Sequence, residues 1–172
     1  GERIYSTRFI EDRAYIVTFK QIDPLFVIDV SDSENPEVLG YLKVTGFSNY
    51  LHPYDENTII GIGREASEEG RAEGIKIALF DVSDVQNPRE LAKYEIENKW
   101  SYSNALDDHK AFLFDKAKNL LVIPISYQEL SNENEYKSWN GAYVFNIDKE
   151  SIELKGKISH NNGDYNSDVQ RS

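Results

Sequence analysis

The sequence predicts an all-β chain of three consecutive four-stranded antiparallel units, and three observations predict it. The first is a repeat. Asp29-Val30-Ser31-Asp32 followed by Asn35-Pro36 recurs as Asp81-Val82-Ser83-Asp84 followed by Asn87-Pro88 at an offset of 52 residues. Phe47-Ser48-Asn49 returns as Tyr102-Ser103-Asn104 55 residues on, and Tyr143-Val144-Phe145-Asn146-Ile147-Asp148 is a degenerate third copy of the first marker. The second is composition, since 12% aromatic content with 11 Tyr and 8 Phe favours strands over helices. The third is the pair of nearly continuous apolar runs Leu25–Ile28 and Ile77–Phe80. A strand apolar on both faces must be covered on both faces, and stacked sheets provide that cover.

Each copy divides into four short strands between turn residues. The first reads Ile4–Phe9, Ala14–Lys20, Leu25–Val30 and Val38–Val44. The second reads Ser48–Pro53, Thr58–Ile62, Ile75–Val82 and Glu90–Ile96. The third reads Lys110–Phe114, Leu120–Ser126, Ala142–Ile147 and Ile152–Ile158. Asp32–Pro36 and Asp84–Pro88 are turns, where Asp and Asn bond the local backbone and Pro stops the ladder. The polar stretches Gln21–Pro24, Arg64–Gly74 and Tyr127–Gly141 are expected as surface loops. The fold expected is a partial β-propeller of three blades, about 4–44, 48–97 and 103–158, with a polar tail at 159–172 leading into a further blade.

With 172 residues and 40% hydrophobic content, the chain is expected to form one domain. Thirty acids against 19 bases give a net charge of −11, which opposes nucleic acid and polybasic attachment to anionic lipid. No apolar run reaches the roughly 18–20 residues of a membrane span. Cys is absent, so neither disulfide nor thiolate chemistry is available. The chain opens on Gly1-Glu2-Arg3 without a signal peptide, and any targeting segment is expected to lie outside it.

Five stretches carry a family resemblance: Ala14–Phe19, Asp23-Pro24-Leu25, Tyr50–Asp55, Asp108–Phe112 and Leu120–Pro124. Together they resemble the secreted C-terminal β-propeller family of archaea and bacteria, distantly related to WD-repeat propellers. The resemblance implies an extracellular or cell-surface location and a propeller larger than these three units. It implies no activity.

Each motif that suggests chemistry has a plainer explanation. Gly61-Ile62-Gly63-Arg64-Glu65-Ala66 has the G-x-G-x-x-A spacing of a dinucleotide loop, which requires a helix to open there. Gly70, Gly74 and the strand at Ile75 argue against that helix, and close packing or a bulge explains the glycines better. His52 and His109, with Asp107, Asp108 and Asp55 nearby, suggest a metal site across adjacent blades. No spacing fixes two ligands on one element, so a structural role is favoured; His160 in the polar tail is expected to be solvated. The acidic clusters Glu65–Glu73 and Glu133–Glu135 lack the Ca²⁺ loop pattern and read as solvated charge. No G-x-S-x-G is present. Trp100, Tyr102, Trp139 and Tyr143 suggest either a sugar-binding face or packing.

The function expected is therefore a non-catalytic extracellular binding or scaffolding module for a protein or glycan. No catalytic residue, cofactor or metal is assigned. The alternative is a hydrolase of glycan or peptide using paired carboxylates near the channel mouth. Self-association through the two terminal blade faces is expected as well.

Overall fold

The computed structural model describes residues 3–19, 23–67, 71–96, 98–130 and 136–160. It contains three four-stranded antiparallel sheets, each a simple meander in chain order. The first holds β1 (Arg3–Ile10), β2 (Arg13–Phe19), β3 (Asp23–Asp29) and β4 (Glu37–Val44). The second holds β5 (Phe47–Pro53), β6 (Thr58–Ala66), β7 (Ala72–Asp81) and β8 (Arg89–Glu95). The third holds β9 (Leu113–Asp115), β10 (Leu120–Leu130), β11 (Tyr136–Ile147) and β12 (Ile152–Ser159). Among the described residues the helical segments are single 3₁₀ turns at Asn104–Leu106, His109–Ala111 and Lys116–Lys118.

The pleat assigns every strand residue to one of two faces, and burial shows which faces are covered. Tyr15, Val17, Leu25 and Val27 of the first sheet pack on Leu51, Ile59, Ala78 and Phe80 of the second. The other face of the second sheet sends Ile60, Ile62, Ile77 and Leu79 against Leu121, Ile123, Tyr143 and Phe145 of the third. β7 is therefore buried at every position from Gly74 to Phe80. The first and third sheets are each covered on one face. Leu121, Ile123, Tyr143 and Phe145 of the third sheet are buried against the second. The open face of the third sheet carries Leu113, Val122, Ala142 and Ile158 instead, as the register pairs Val122 with Leu113 and Ala142 with Ile158.

The first strands lie together along one side. The Ser6 hydroxyl donates to the Ser48 carbonyl at 2.7 Å, and the Tyr5 and Phe47 rings meet at 4.5 Å. The repeat extends to irregularities. Each fourth strand carries one extra residue, Leu39, Leu91 or Lys155, opposite the third strand. β1 and β5 carry extra residues at Tyr5 and Asn49, again at matching places. Such bulges increase the local twist of edge strands.

Several boundaries differ from those expected. Of the stretches read as loops between second and third strands, residues 21–22, 68–70 and 131–135 lie outside the described residues, and the described parts of the two longer ones are largely paired: Arg64 lies opposite Ile75, Ala66 opposite Ala72, and Tyr127 opposite Trp139. Their polar character belongs to hairpins that run on to the rim of the core, where Ala72, Lys137 and Ser138 meet water. β3 begins at Asp23 and includes Pro24. The inner strand of the third sheet, expected over Lys110–Phe114, is only Leu113–Asp115. The Ser103 and Asp108 side chains each accept from a backbone amide two residues on and turn the chain into 3₁₀ geometry first. Glu133–Glu135 and the tail from residue 161 lie outside the described residues.

Candidate functional site

Blade-like sheets alternate their turns between two ends, so each end collects loops from all three. At one end lie the β2–β3 and β6–β7 hairpins, the β10–β11 hairpin and the connections from each fourth strand to the next first strand. Here Trp100 is 83% exposed and Tyr136 74% exposed, with Leu130 and Tyr102 also exposed. The segment carrying Trp100 is tied to β10. Asn98 donates to the Gln128 carbonyl at 3.0 Å, and Tyr102 and Ser126 exchange both backbone hydrogen bonds. Leu130 faces Tyr136 across the hairpin. Four large apolar or aromatic side chains are thus held on adjoining elements.

The aromatic residues considered from sequence divide between two roles. Trp139 stacks on Tyr127 at 5.1 Å and meets Tyr143 edge-on at 5.4 Å, so it packs, whereas Trp100 is free to touch a partner. The Tyr102 hydroxyl donates to Asp107 at 2.8 Å, and this bond raises the Tyr102 pKa.

A second feature sits on the inner strands. In the second sheet, residues 48–51 connect the pairs Phe47–Arg64 and His52–Ile60. In the third, residues 103–112 do so between Tyr102–Ser126 and Leu113–Val122, so the strand makes an excursion that carries His109. This excursion, with Arg8, Asn49 and Tyr50, encloses a recess of about 300 Å³. Arg8 Nε and Asn49 Oδ1 are buried there without hydrogen-bond partners.

The structure brings His52 and His109 both to the Tyr50 ring, with centroids at 6.0 and 6.5 Å. His52 Nδ1 is 3.0 Å from the Tyr50 hydroxyl, and its ring lies 5.0 Å from Phe112 and 5.5 Å from Phe114. The two histidines belong to an interdigitated aromatic ladder between second and third sheets. Burial, reinforced by the Arg8 charge, lowers the His52 pKa. Among the described residues no group of three or more His, Asp or Glu is placed to hold a metal ion. His160 is exposed, with its backbone amide bonded to the Asn140 carbonyl.

Gly61–Ala66 lies within β6, where no helix opens. A Cβ on Gly63 would sit 1.7 Å from the Phe47 carbonyl oxygen, and one on Gly61 would meet Ser48 and Phe80. These glycines let β5 approach closely beside its Asn49 bulge. Glu65, read as solvated charge, is instead largely buried beside Lys76, at 3.7 Å. Lys76 also reaches Glu90 at 3.1 Å and donates to the Thr45 carbonyl at 2.6 Å. This ion group was illegible because Lys76 alternates with Ile75 and Ile77 on a strand covered on both faces.

Three stacked four-stranded meanders, each sheet packing face to face on the next, define a propeller. The sequence matches the family described as "Beta propeller domain" over residues 1–172, and the chain belongs to that family. It is similar to an uncharacterized protein of Methanocaldococcus jannaschii, 44% identical over 160 residues covering 93% of this chain and 22% of the relative. It is also similar to an uncharacterized protein of Archaeoglobus fulgidus, 47% identical over 123 residues covering 72% of this chain and 19% of the relative. The chain thus spans about a fifth of the length of these relatives.

Proposed function

We propose that the chain is a non-catalytic binding or scaffolding module that works at the cell surface or outside the cell. It engages a protein or glycan through the loop end that bears Trp100, Tyr102, Leu130 and Tyr136. Propellers serve as interaction platforms, and the observation that carries this reading is the exposure of those four side chains on adjoining elements. Trp and Tyr supply large contact area at low entropic cost and dominate interface energetics. The outside location draws on the family resemblance.

The test combines a glycan array with affinity capture from the envelope fraction of a related archaeon, using wild type and a Trp100→Ala/Tyr136→Ser variant. A ligand retained by wild type and lost by the variant supports the reading. Equal retention by both, or turnover of labelled glycans or peptides by the wild type, overturns it.

The two uncovered sheet faces support a second property, self-association. One is the kind of face that the second and third sheets turn toward their predecessor; the other is the kind that the first and second turn toward their successor. A second copy therefore meets the chain through a junction of a type already formed twice within it.

A further inference from the structure

The end of the molecule opposite Trp100, formed by the β1–β2, β3–β4 and β5–β6 turns, holds a recess of about 410 Å³ between the first and second sheets. Glu11, Asp12, Asp29 and Glu56 stand around it with a single cation, Arg13. Asp29 is engaged, accepting from the Ser31 amide at 2.8 Å and lying opposite Arg13 in the β2–β3 register. Tyr15 belongs to the same wall. Its side chain is fully buried, yet its hydroxyl has no hydrogen-bond partner, so an unsatisfied polar group lies within the wall of the recess.

The junction between the second and third sheets shows how the molecule completes the matching place. The backbone bonds Val30 to Asp12, Val82 to Asn57 and Ile147 to Asn119 align the three sheets. In that alignment Ile60 stands where the first sheet has Tyr15, and Lys118 where the second has Glu56. Lys149 follows Asn146 as Asp84 follows Asp81. At this second junction the Lys149 ammonium lies 2.7 Å from Asp55 Oδ2, and the Lys116 ammonium sits 5.1 Å over the Tyr54 ring. At the matching places of the first junction Glu56 stands for Lys118, Asp84 for Lys149 and Tyr54 for Lys116, so no lysine of the chain lines the recess.

We propose that the first-junction recess binds the primary ammonium of a lysine side chain presented by a partner protein. The Glu11 and Glu56 carboxylates take the charge, and the Tyr15 hydroxyl accepts one N–H. This deepens the reading of the chain as a binding module while placing a contact at its other end. A lysine is favoured over a metal ion because the internal precedent is an ammonium, and no metal-competent group occurs among the described residues.

The test is an amide NMR titration of the chain with Nα-acetyl-lysine methylamide, against tetramethylammonium chloride at equal ionic strength. Saturable shifts confined to Arg13, Tyr15, Ser31 and Asn57 are expected with the lysine probe alone. Affinity is expected to fall about tenfold in Tyr15→Phe and in Glu11→Gln/Glu56→Gln, as loss of charge-assisted hydrogen bonds implies. Equal shifts with tetramethylammonium, or unchanged affinity in the double glutamine variant, would overturn the proposal. The double variant changes only rim carboxylates and decides the matter even if Tyr15→Phe is unstable. The probe is read on the chain alone, so the outcome is separable from whether the Trp100 end finds a partner.

Discussion

Gly63 has a carbonyl oxygen where its side chain would begin, since a Cβ would lie 1.7 Å from Phe47 O. Relief would require β5 to move away from β6. Gly63→Ala is expected to cost about 2 kcal/mol or more, read from denaturant midpoints at constant m-value. His52 offers a different residue-scale prediction. Its folded-state pKa is lowered from 6.5 by burial and then by Arg8, so the unfolded chain binds the proton more tightly. The stability linked to His52 is present above about pH 6.5 and is lost as pH falls from there through the lowered folded value. Thermal melts between about pH 7.5 and 5.5 are expected to show that decline, and His52→Phe to reduce it. An unchanged pH slope in the variant would assign the effect elsewhere.

The turns between third and fourth strands are the most literal repeat. Asp32 and Asp84 each accept from the amide two residues on and from the side-chain amide of Asn35 or Asn87, at 2.8 and 3.0 Å. Those side-chain bonds, followed by the backbone bonds, lower both carboxyl pKa values below 3.8. Folding therefore favours the ionised forms, and their contribution is present above about pH 3.8 and lost as pH falls through the lowered values. Wild type is expected to lose melting temperature on acidification below pH 4 more steeply than an Asp32→Asn/Asp84→Asn variant; parallel curves would show the turns contribute nothing to acid sensitivity. These turns were legible because Asp, Asn and Pro at fixed spacing dictate local hydrogen bonds regardless of tertiary context. The strand cores were legible for a similar reason, from β-branched and aromatic runs. The inner strand of the third sheet was not. Lys110–Phe114 has strand-like composition, but Ser103 and Asp108 cap 3₁₀ turns ahead of it, and only three residues pair. The candidate site was the least legible part. Trp100 and Tyr136 become one patch only through the pairing of 98–102 with β10, and Tyr15 joins Glu11 and Glu56 only when two sheets stack.

At the scale of the whole molecule, the second sheet is covered twice and its neighbours once. The two uncovered faces are different surfaces, with Phe9, Ile16, Phe26 and Tyr41 on the first sheet and Leu113, Val122, Ala142 and Ile158 on the third. Like faces never meet inside the chain, so the proposed self-association is head to tail. Two copies close a six-sheet ring, within the four to eight blades propellers use. Analytical ultracentrifugation of the isolated chain is expected to give a dimer, dispersed by Phe26→Glu or Val122→Glu through opposite faces. A monomer at high concentration would end this proposal and leave the fold intact.

The excursion at residues 103–112 leaves the pairing on either side of it undisturbed. Tyr102 meets Ser126 and Leu113 meets Val122, as Phe47 meets Arg64 and His52 meets Ile60 in the uninterrupted sheet. The third sheet thus takes its alignment from the long β10–β11 hairpin, and its innermost strand reads that alignment rather than setting it. Closing a somewhat longer loop between two fixed anchors costs little, since each doubling of length adds only about 0.6 kcal/mol. The inner rim of this blade is therefore a position of length tolerance, where new side chains can be delivered toward the axis without renegotiating the fold.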